Sequence, residues 1–361
     1  MTTPDWSLFR DGLTAWYAPD RRPMPWKGER DPYCIWLSEI ILQQTRVAQG
    51  WPYFERFLAA YPTVAQLAAA EDADVMKLWE GLGYYSRARN LLRAARTVVA
   101  DHGGRFPDTY RGLLTLPGVG PYTAAAVASF AFDRQVAVLD GNVFRILARY
   151  TADPTPIDTG PGRKHFQSLV DRALGEAPAA AFNQAIMDFG ALVCTPKSPD
   201  CAHCPVAEGC RARAEGTVPD FPVKGKAAAR RDRIFHYLHV TDARGRFLLH
   251  RREDRDIWKH LYQFPLVERA ALDLRPPQLA AADNWPAWLP FRELEVRGRS
   301  KPYTHQLSHQ RLGVVFHRLY WPAPHDVPDD YTAVSRDGLG PYALPRVITR
   351  YLGDQRLTLD L

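Results

Sequence analysis

Apolar residues recur at helical spacing through the first two thirds of the chain. Trp36, Ile40, Gln43 and Val47 share one face, and Ile35, Glu39, Leu42 and Arg46 the neighbouring one, which predicts a helix through this stretch. Leu78-Trp79 then runs into Gly81-Leu82-Gly83, a helix stop. Over residues 86–100, Arg87, Arg89, Arg93 and Arg96 alternate with Leu91, Leu92, Ala95 and Val99, an amphipathic helix whose basic side reads first as solvated surface. Periodicity is lost over 211–231, where Pro, Gly, Ala and basic residues predict an interdomain linker. Beyond it, 234–240 and 246–250 read as strands joined by the turn Asp242-Ala243-Arg244-Gly245, and 313–321 as a later strand. The expected plan is a mainly α region over 1–225 and an α+β region over 232–361, with no internal repeat or low-complexity tract.

A length of 361 residues agrees with two domains, and 46% hydrophobic with 24% charged residues describes an ordinary globular chain. No apolar run approaches the ~20 residues that span a bilayer. The opening Met1-Thr2-Thr3-Pro4-Asp5-Trp6 lacks a basic start and an apolar core, so neither secretion nor a membrane location is expected. Net charge is +6, but residues 1–225 carry 24 basic against 24 acidic side chains and residues 226–361 carry 22 against 16. A polyanion held by the first region must therefore be gripped by local patches rather than a global field.

Cysteine placement narrows the chemistry. Cys34 stands alone, a small buried hydrophobe by default, while Cys194-x6-Cys201-x2-Cys204-x5-Cys210 crowds four thiols into one segment. In a reducing compartment such a set reads as a metal or cluster site. Only one short knuckle is present where structural zinc sites use two, which favours a four-iron cubane while leaving zinc open.

Two further features carry chemistry. Leu116-Pro117-Gly118-Val119-Gly120-Pro121-Tyr122-Thr123 precedes a run of small residues, and Gly118 and Gly120 permit a sharp turn between helices. Amides bared there can face a phosphate, although a plain helix–helix connection explains the same glycines. Glu39, between Ile35 and Leu42, sits where partial burial would raise its pKa and keep it protonated. Asp140 ends the run Val136-Ala137-Val138-Leu139 before a helix and reads locally as an N-cap. Two carboxyls in different environments are also what glycosidic cleavage requires.

Together these residues resemble the helix-hairpin-helix DNA glycosylases that carry an iron–sulfur cluster, and within them the adenine DNA glycosylases (MutY family). The resemblance covers nearly the whole chain. It rests on the cysteine pattern and on Trp36-Leu37-Ser38-Glu39-Ile40-Ile41-Leu42-Gln43-Gln44-Thr45, Gly81-Leu82-Gly83-Tyr84-Tyr85 and Val138-Leu139-Asp140-Gly141-Asn142. It implies a six-helix barrel with a cluster subdomain at 194–210, holding a [4Fe-4S] cluster on Cys194, Cys201, Cys204 and Cys210. A Nudix-like domain would follow over 232–361, without the catalytic Nudix signature and so without pyrophosphohydrolase activity.

By the same resemblance Glu39 would protonate N7 of adenine. Asp140 would stabilise the oxocarbenium ion, directly or by transient attachment to the sugar, with Tyr122 and Asn142 in support. Gln184 would line the base pocket, Gln44 and Tyr84 would insert into the duplex where the base leaves, and Gln43 would belong to the substrate- and DNA-binding set. Leu307, Ser308 and His309 would sense 8-oxoguanine, with Leu307 replacing the usual phenylalanine and its aromatic packing. The implied partner is double-stranded DNA with adenine opposite 8-oxoguanine or guanine, met by a cytoplasmic, nucleoid-associated monomer. Relatives that cut the strand carry lysine where this chain has Tyr122, so a monofunctional enzyme is expected. An endonuclease III-like lyase for oxidised pyrimidines and a non-catalytic iron–sulfur DNA-binding protein are the alternatives. Tyr122 and the added domain oppose the first, and retention of both carboxyls opposes the second.

Overall fold

Asp31 opens the first deeply buried helix: its carboxylate accepts the Tyr33 N–H at 2.8 Å, and Pro32 fills the first turn, where no amide is missed. In the computed structural model, which describes residues 4–24, 26–225, 230–307 and 309–357, this helix runs Pro32–Leu42. Every residue from Ile35 to Ile41 is buried, as suits a helix apolar on all sides. It packs against helix Pro121–Phe132, whose stretch from Thr123 to Ser129 is small and buried.

The helix predicted to continue to Val47 stops at Leu42. Gln44 takes a left-handed φ of +58°, Thr45 N–H turns back to Leu42 O at 3.0 Å, and a new helix, Val47–Ala60, begins. The break frees Gln43 and Gln44 from the helix surface. By contacts the chain forms two units, Met1–Ala69 with Asn90–Ala227, and Ala70–Arg89 with Ala228–Leu361.

In the first unit, helix Tyr110–Leu113 leads through the glycine turn into Pro121–Phe132. Gly118 has φ +77°, and a Cβ there would stand 2.6 Å from Asn90 Cβ, so glycine is required on both counts. Next comes an unpaired segment ending at Asp140. Fully buried Asn183, on helix Ala179–Leu192, holds it by accepting from Val138 N–H at 3.0 Å and donating to Val136 O at 2.8 Å. Helix Gly141–Thr151 follows and packs on Ala179–Leu192, with Gly190 giving clearance for Asn142. Residues inside the stretch read as a linker are packed chain. Helix Arg211–Ala214 forms there, Arg149 Nε donates to Val218 O and Phe221 O, and Gly225 N–H donates to Asp158 at 2.7 Å.

The second unit is built on an eight-stranded mixed sheet: β1 (Arg231–Thr241), β2 (Phe247–Arg251), β3 (Tyr262–Gln263), β4 (Leu266–Arg269), β5 (Glu295–Arg299), β6 (Tyr303–Gln306), β7 (Gln310–Tyr320) and β8 (Tyr331–Val334). β1 and β7 pair in parallel along their whole length, Arg231 opposite Gln310 through Thr241 opposite Tyr320. The β1–β2 turn forms as predicted, with Asp242 Oδ1 accepting from the Arg244 and Arg246 amides. Helix Arg346–Leu357 covers the sheet through Tyr351, whose ring stacks on Phe316 at 3.8 Å. The helical first region and the α+β second are thus the two classes expected. No described helix is long and apolar enough to cross a membrane.

Candidate active site

Glu39 and Asp140, about a hundred residues apart in sequence, line one cavity of about 750 Å³ in the first unit. Tyr122, Asn142, Gln43, Gln44 and Gln184 line it too. Glu39 is carried on the buried helix at 7% exposure. Burial pushes its carboxyl up to about 7, Asp140 adds to the rise, and the Tyr122 hydrogen bond and Arg22 oppose it. The Tyr122 hydroxyl, itself raised by burial and by Glu39, also meets Met187 Sδ at 3.4 Å. Gln43 donates to Thr123 Oγ1 at 3.1 Å, tying the end of the Glu39 helix to the helix that carries Tyr122.

Asp140 serves two ends at once. Its Oδ1 accepts the Val143 N–H at 2.8 Å and caps helix Gly141–Thr151, while its Oδ2 accepts from Asn142 Nδ2 at 2.8 Å. Burial raises its pKa, and those hydrogen bonds with Arg145 pull it back. The two carboxyls therefore differ in support: Asp140 takes hydrogen bonds from Val143 and Asn142 that favour the anion, and at Glu39 burial outweighs the Tyr122 hydrogen bond. The capping expected of Asp140 falls on Oδ1, and its other oxygen is held by Asn142.

Sequence reasoning missed the cations of this cavity. Arg22 and Lys27 line it, and both reach Asp188, a fully buried carboxylate on helix Ala179–Leu192, at 3.3 and 2.6 Å. Asp188 stands among Ala185, Ile186, Met187 and Phe189. A charge on an apolar helix face was the available signal. Arg145 was missed as well: it donates to Asn142 Oδ1 at 2.9 Å, Gly190 O at 2.7 Å and Cys194 O at 2.8 Å. Asp140, Asn142, Arg145 and the first cysteine's carbonyl thus form one hydrogen-bonded chain.

Cys194, Cys201, Cys204 and Cys210 line a single small cavity with Arg149 and Tyr150. Burial pushes Cys204 up to about 11 and raises Cys210, and the neighbouring thiols add to both. The amide of Val206 faces the Cys204 sulfur, and those of Ala212 and Arg213 face Cys210, a donor set suited to thiolates. Arg149 Nη1 lies 3.5 Å from Cys194 Sγ. Among the described residues no group of three or more Cys, His, Asp or Glu is placed to hold a metal ion. A cubane needs only one thiolate per iron, so convergence on one point is not required of these four.

The remaining expected residues lie elsewhere. Gly118 is exposed in its turn, and Gly120 caps Pro121–Phe132 with no atom within 4 Å of an added Cβ. Neither lines the cavity. Tyr84 belongs to the second unit, half exposed, with a left-handed φ of +48° and the Arg87 guanidinium 5.6 Å from its ring. Leu307 and His309 flank the β6–β7 connection, where Leu307 N–H donates to Gln310 O at 2.8 Å and His309 is exposed. Ser308 lies outside the described residues.

Comparison with known proteins places the chain by sequence and fold. Residues 37–171 match the HhH-GPD superfamily of base excision DNA repair proteins, and residues 236–354 match the NUDIX domain. Adenine DNA glycosylase of Mus musculus is 44% identical over 220 residues, 58% of this chain and 42% of that one. Adenine DNA glycosylase of Buchnera aphidicola from Schizaphis graminum is 30% identical over 312 residues, 85% of this chain and 86% of that one. The chain therefore spans under half of the mouse relative and most of the bacterial one. A solved structure described as a thermostable thymine-DNA glycosylase is similar with a TM-score of 0.54 and 30% identity, over 58% of this chain and 97% of that one. With a match to the HhH-GPD superfamily, a match to the NUDIX domain and a bacterial relative 30% identical along most of its length, the chain belongs to the adenine DNA glycosylase family.

Proposed function

We propose that this chain hydrolyses the N-glycosidic bond of adenine mispaired with 8-oxoguanine or guanine in double-stranded DNA, leaving an abasic site. The observation that carries the reading is the pair of unlike carboxyls in one cavity. Glu39, protonated below about 7, donates its proton to N7 of the extruded base. The C1′–N9 bond then breaks with its electron pair leaving on adenine. The Asp140 carboxylate faces the oxocarbenium ion that remains, and water completes the exchange. Extrusion itself costs a few kcal/mol of stacking, which Gln44 and Tyr84 offset by entering the gap.

Tyr122 cannot form an imine, which supports monofunctional cleavage. Lys27 is the lysine that lines the cavity among the described residues, and its amine is held 2.6 Å from Asp188 and 3.2 Å from Arg22 O. The glycine turn would hold phosphate through its amides without reading sequence, and Leu307, Ser308 and His309 would contact the opposing 8-oxoguanine. A [4Fe-4S] cluster on Cys194, Cys201, Cys204 and Cys210 would order the segment they span when bound. The whole would work as a monomer on chromosomal DNA in the cytoplasm.

The test is a labelled duplex with adenine opposite 8-oxoguanine, incubated with protein and split with or without hot alkali. Breaks at the adenine that appear only after alkali are expected. Breaks without alkali would establish a lyase instead, and no breaks from protein with full iron and sulfide content would favour a binding protein.

A further inference from the structure

Helix Ala179–Leu192 places Gln184 and Asp188 one turn apart, on the same face. Gln184 lines the cavity, and its Nε2 donates to Asp188 Oδ1 at 3.1 Å. Asp188 is fully buried and takes Lys27 at 2.6 Å on its other oxygen, with Arg22 at 3.3 Å beside Gln184. A carboxylate paired with two cations only accepts hydrogen bonds. The side-chain amide next to it is therefore fixed with its NH2 toward Asp188, since the reverse would set oxygen against oxygen.

We infer that Asp188 is a positioning residue for base selection: by fixing the Gln184 amide it leaves Oε1 as the group offered to a base in the cavity. This deepens the adenine reading and rests on it. An acceptor at that place suits the exocyclic amine of adenine, which donates. It opposes the keto oxygen of guanine or hypoxanthine, which accepts, and gains nothing from unsubstituted purine. A free glutamine amide would serve either kind of base by turning over, so selectivity belongs to the pair rather than to Gln184 alone.

Asp188→Asn is the informative change, because an amide at that place both donates and accepts and no longer fixes its neighbour. Single-turnover rate constants would be measured for adenine and for unsubstituted purine in the same duplex, opposite 8-oxoguanine. The ratio of the two is indifferent to the fraction of protein that is folded. In Asp188→Asn the adenine-to-purine ratio is expected to fall about tenfold, the worth of one hydrogen bond. Gln184→Ala should fall by the same factor, and the double variant no further. An unchanged ratio in either single variant, or a double-variant loss equal to the product of the two, overturns the inference. Should Asp188→Asn fail to fold, Gln184→Ala with its ratio intact overturns it alone. Wild-type protein that excises neither base would instead sink the glycosylase reading beneath it.

Discussion

Glu39 in the first unit and His317 in the second are both buried, yet each holds its proton in the opposite sense to the other. Burial drives the Glu39 carboxyl up to about 7, so the group keeps a proton that a solvated glutamate would lose. Burial drives His317 down to about 3, so the ring refuses a proton that a solvated histidine would take. Between β1 and β7, His236 donates from Nε2 to Ala271 O at 2.9 Å and accepts at Nδ1 from His317 Nε2 at 3.0 Å. That order fixes both tautomers and suits two neutral rings. His239, bonded to the Tyr351 hydroxyl at 2.8 Å, is likewise pushed down to about 3. In both units the cost of burial is met by neutralising the group. In the first unit a cavity opens beside the group, which makes the held proton available for chemistry.

The sharpest way to break that contrast is to remove the Glu39 proton. Glu39→Gln is expected to lower single-turnover excision by about 10²–10⁴-fold, the range for a positioned general acid. Binding of the mispaired duplex, followed by fluorescence anisotropy, should stay near wild type. Equal loss of both would make Glu39 a folding residue. In the wild-type enzyme the rate should fall as pH rises through about 7. Arg22→Gln removes a cation that lowers the Glu39 pKa, so this limb should move to higher pH.

The second prediction sets the stabilities of the two units against each other. A group whose pKa is raised on folding contributes stability below its unfolded value and loses it as pH rises through the folded one. For Glu39 that window runs from 4.5 to about 7, and replacing it with glutamine should recover on the order of 3 kcal/mol at pH 8. For His317 and His239 the sign reverses: stability is present above 6.5 and lost as pH falls toward about 3. Hydrogen exchange corrected for its intrinsic pH dependence should show β1 and β7 losing protection first on acidification, while helix Pro32–Leu42 does not. Simultaneous loss in both would mean that the histidines do not set the acid response.

Smaller effects sharpen the picture of how the cavity is held. Asn183→Ala leaves the Val138 N–H and Val136 O without their partner. About 1–3 kcal/mol of stability should be lost in urea unfolding, with excision lowered because Asp140 follows that segment. Gly118→Ala forces a Cβ into a left-handed position 2.6 Å from Asn90 Cβ. It should cost about 1–3 kcal/mol and weaken DNA binding, leaving the pH profile of excision unchanged.

Along the chain, local pattern determined a good deal. It marked a helix from 35, though carried on to 47, the helix over 86–100, three strands of the second unit with the turn at Asp242, the burial of Glu39 and the capping by Asp140. It also marked the four cysteines as one set. These rest on interactions within a few residues, where spacing and residue type suffice. Only tertiary structure decided that the Glu39 helix stops at Leu42, that Glu39 and Asp140 share a cavity, and that Asp188 gathers Arg22, Lys27 and Gln184. It also decided that Arg145 ties Asn142 to Cys194 O, and that buried histidines line up across β1 and β7. In each of these the partners come from segments far apart in sequence. Their pairing depends on which faces the packed core brings together, and the cost of burying a charge or a polar group unpaired then selects the partner.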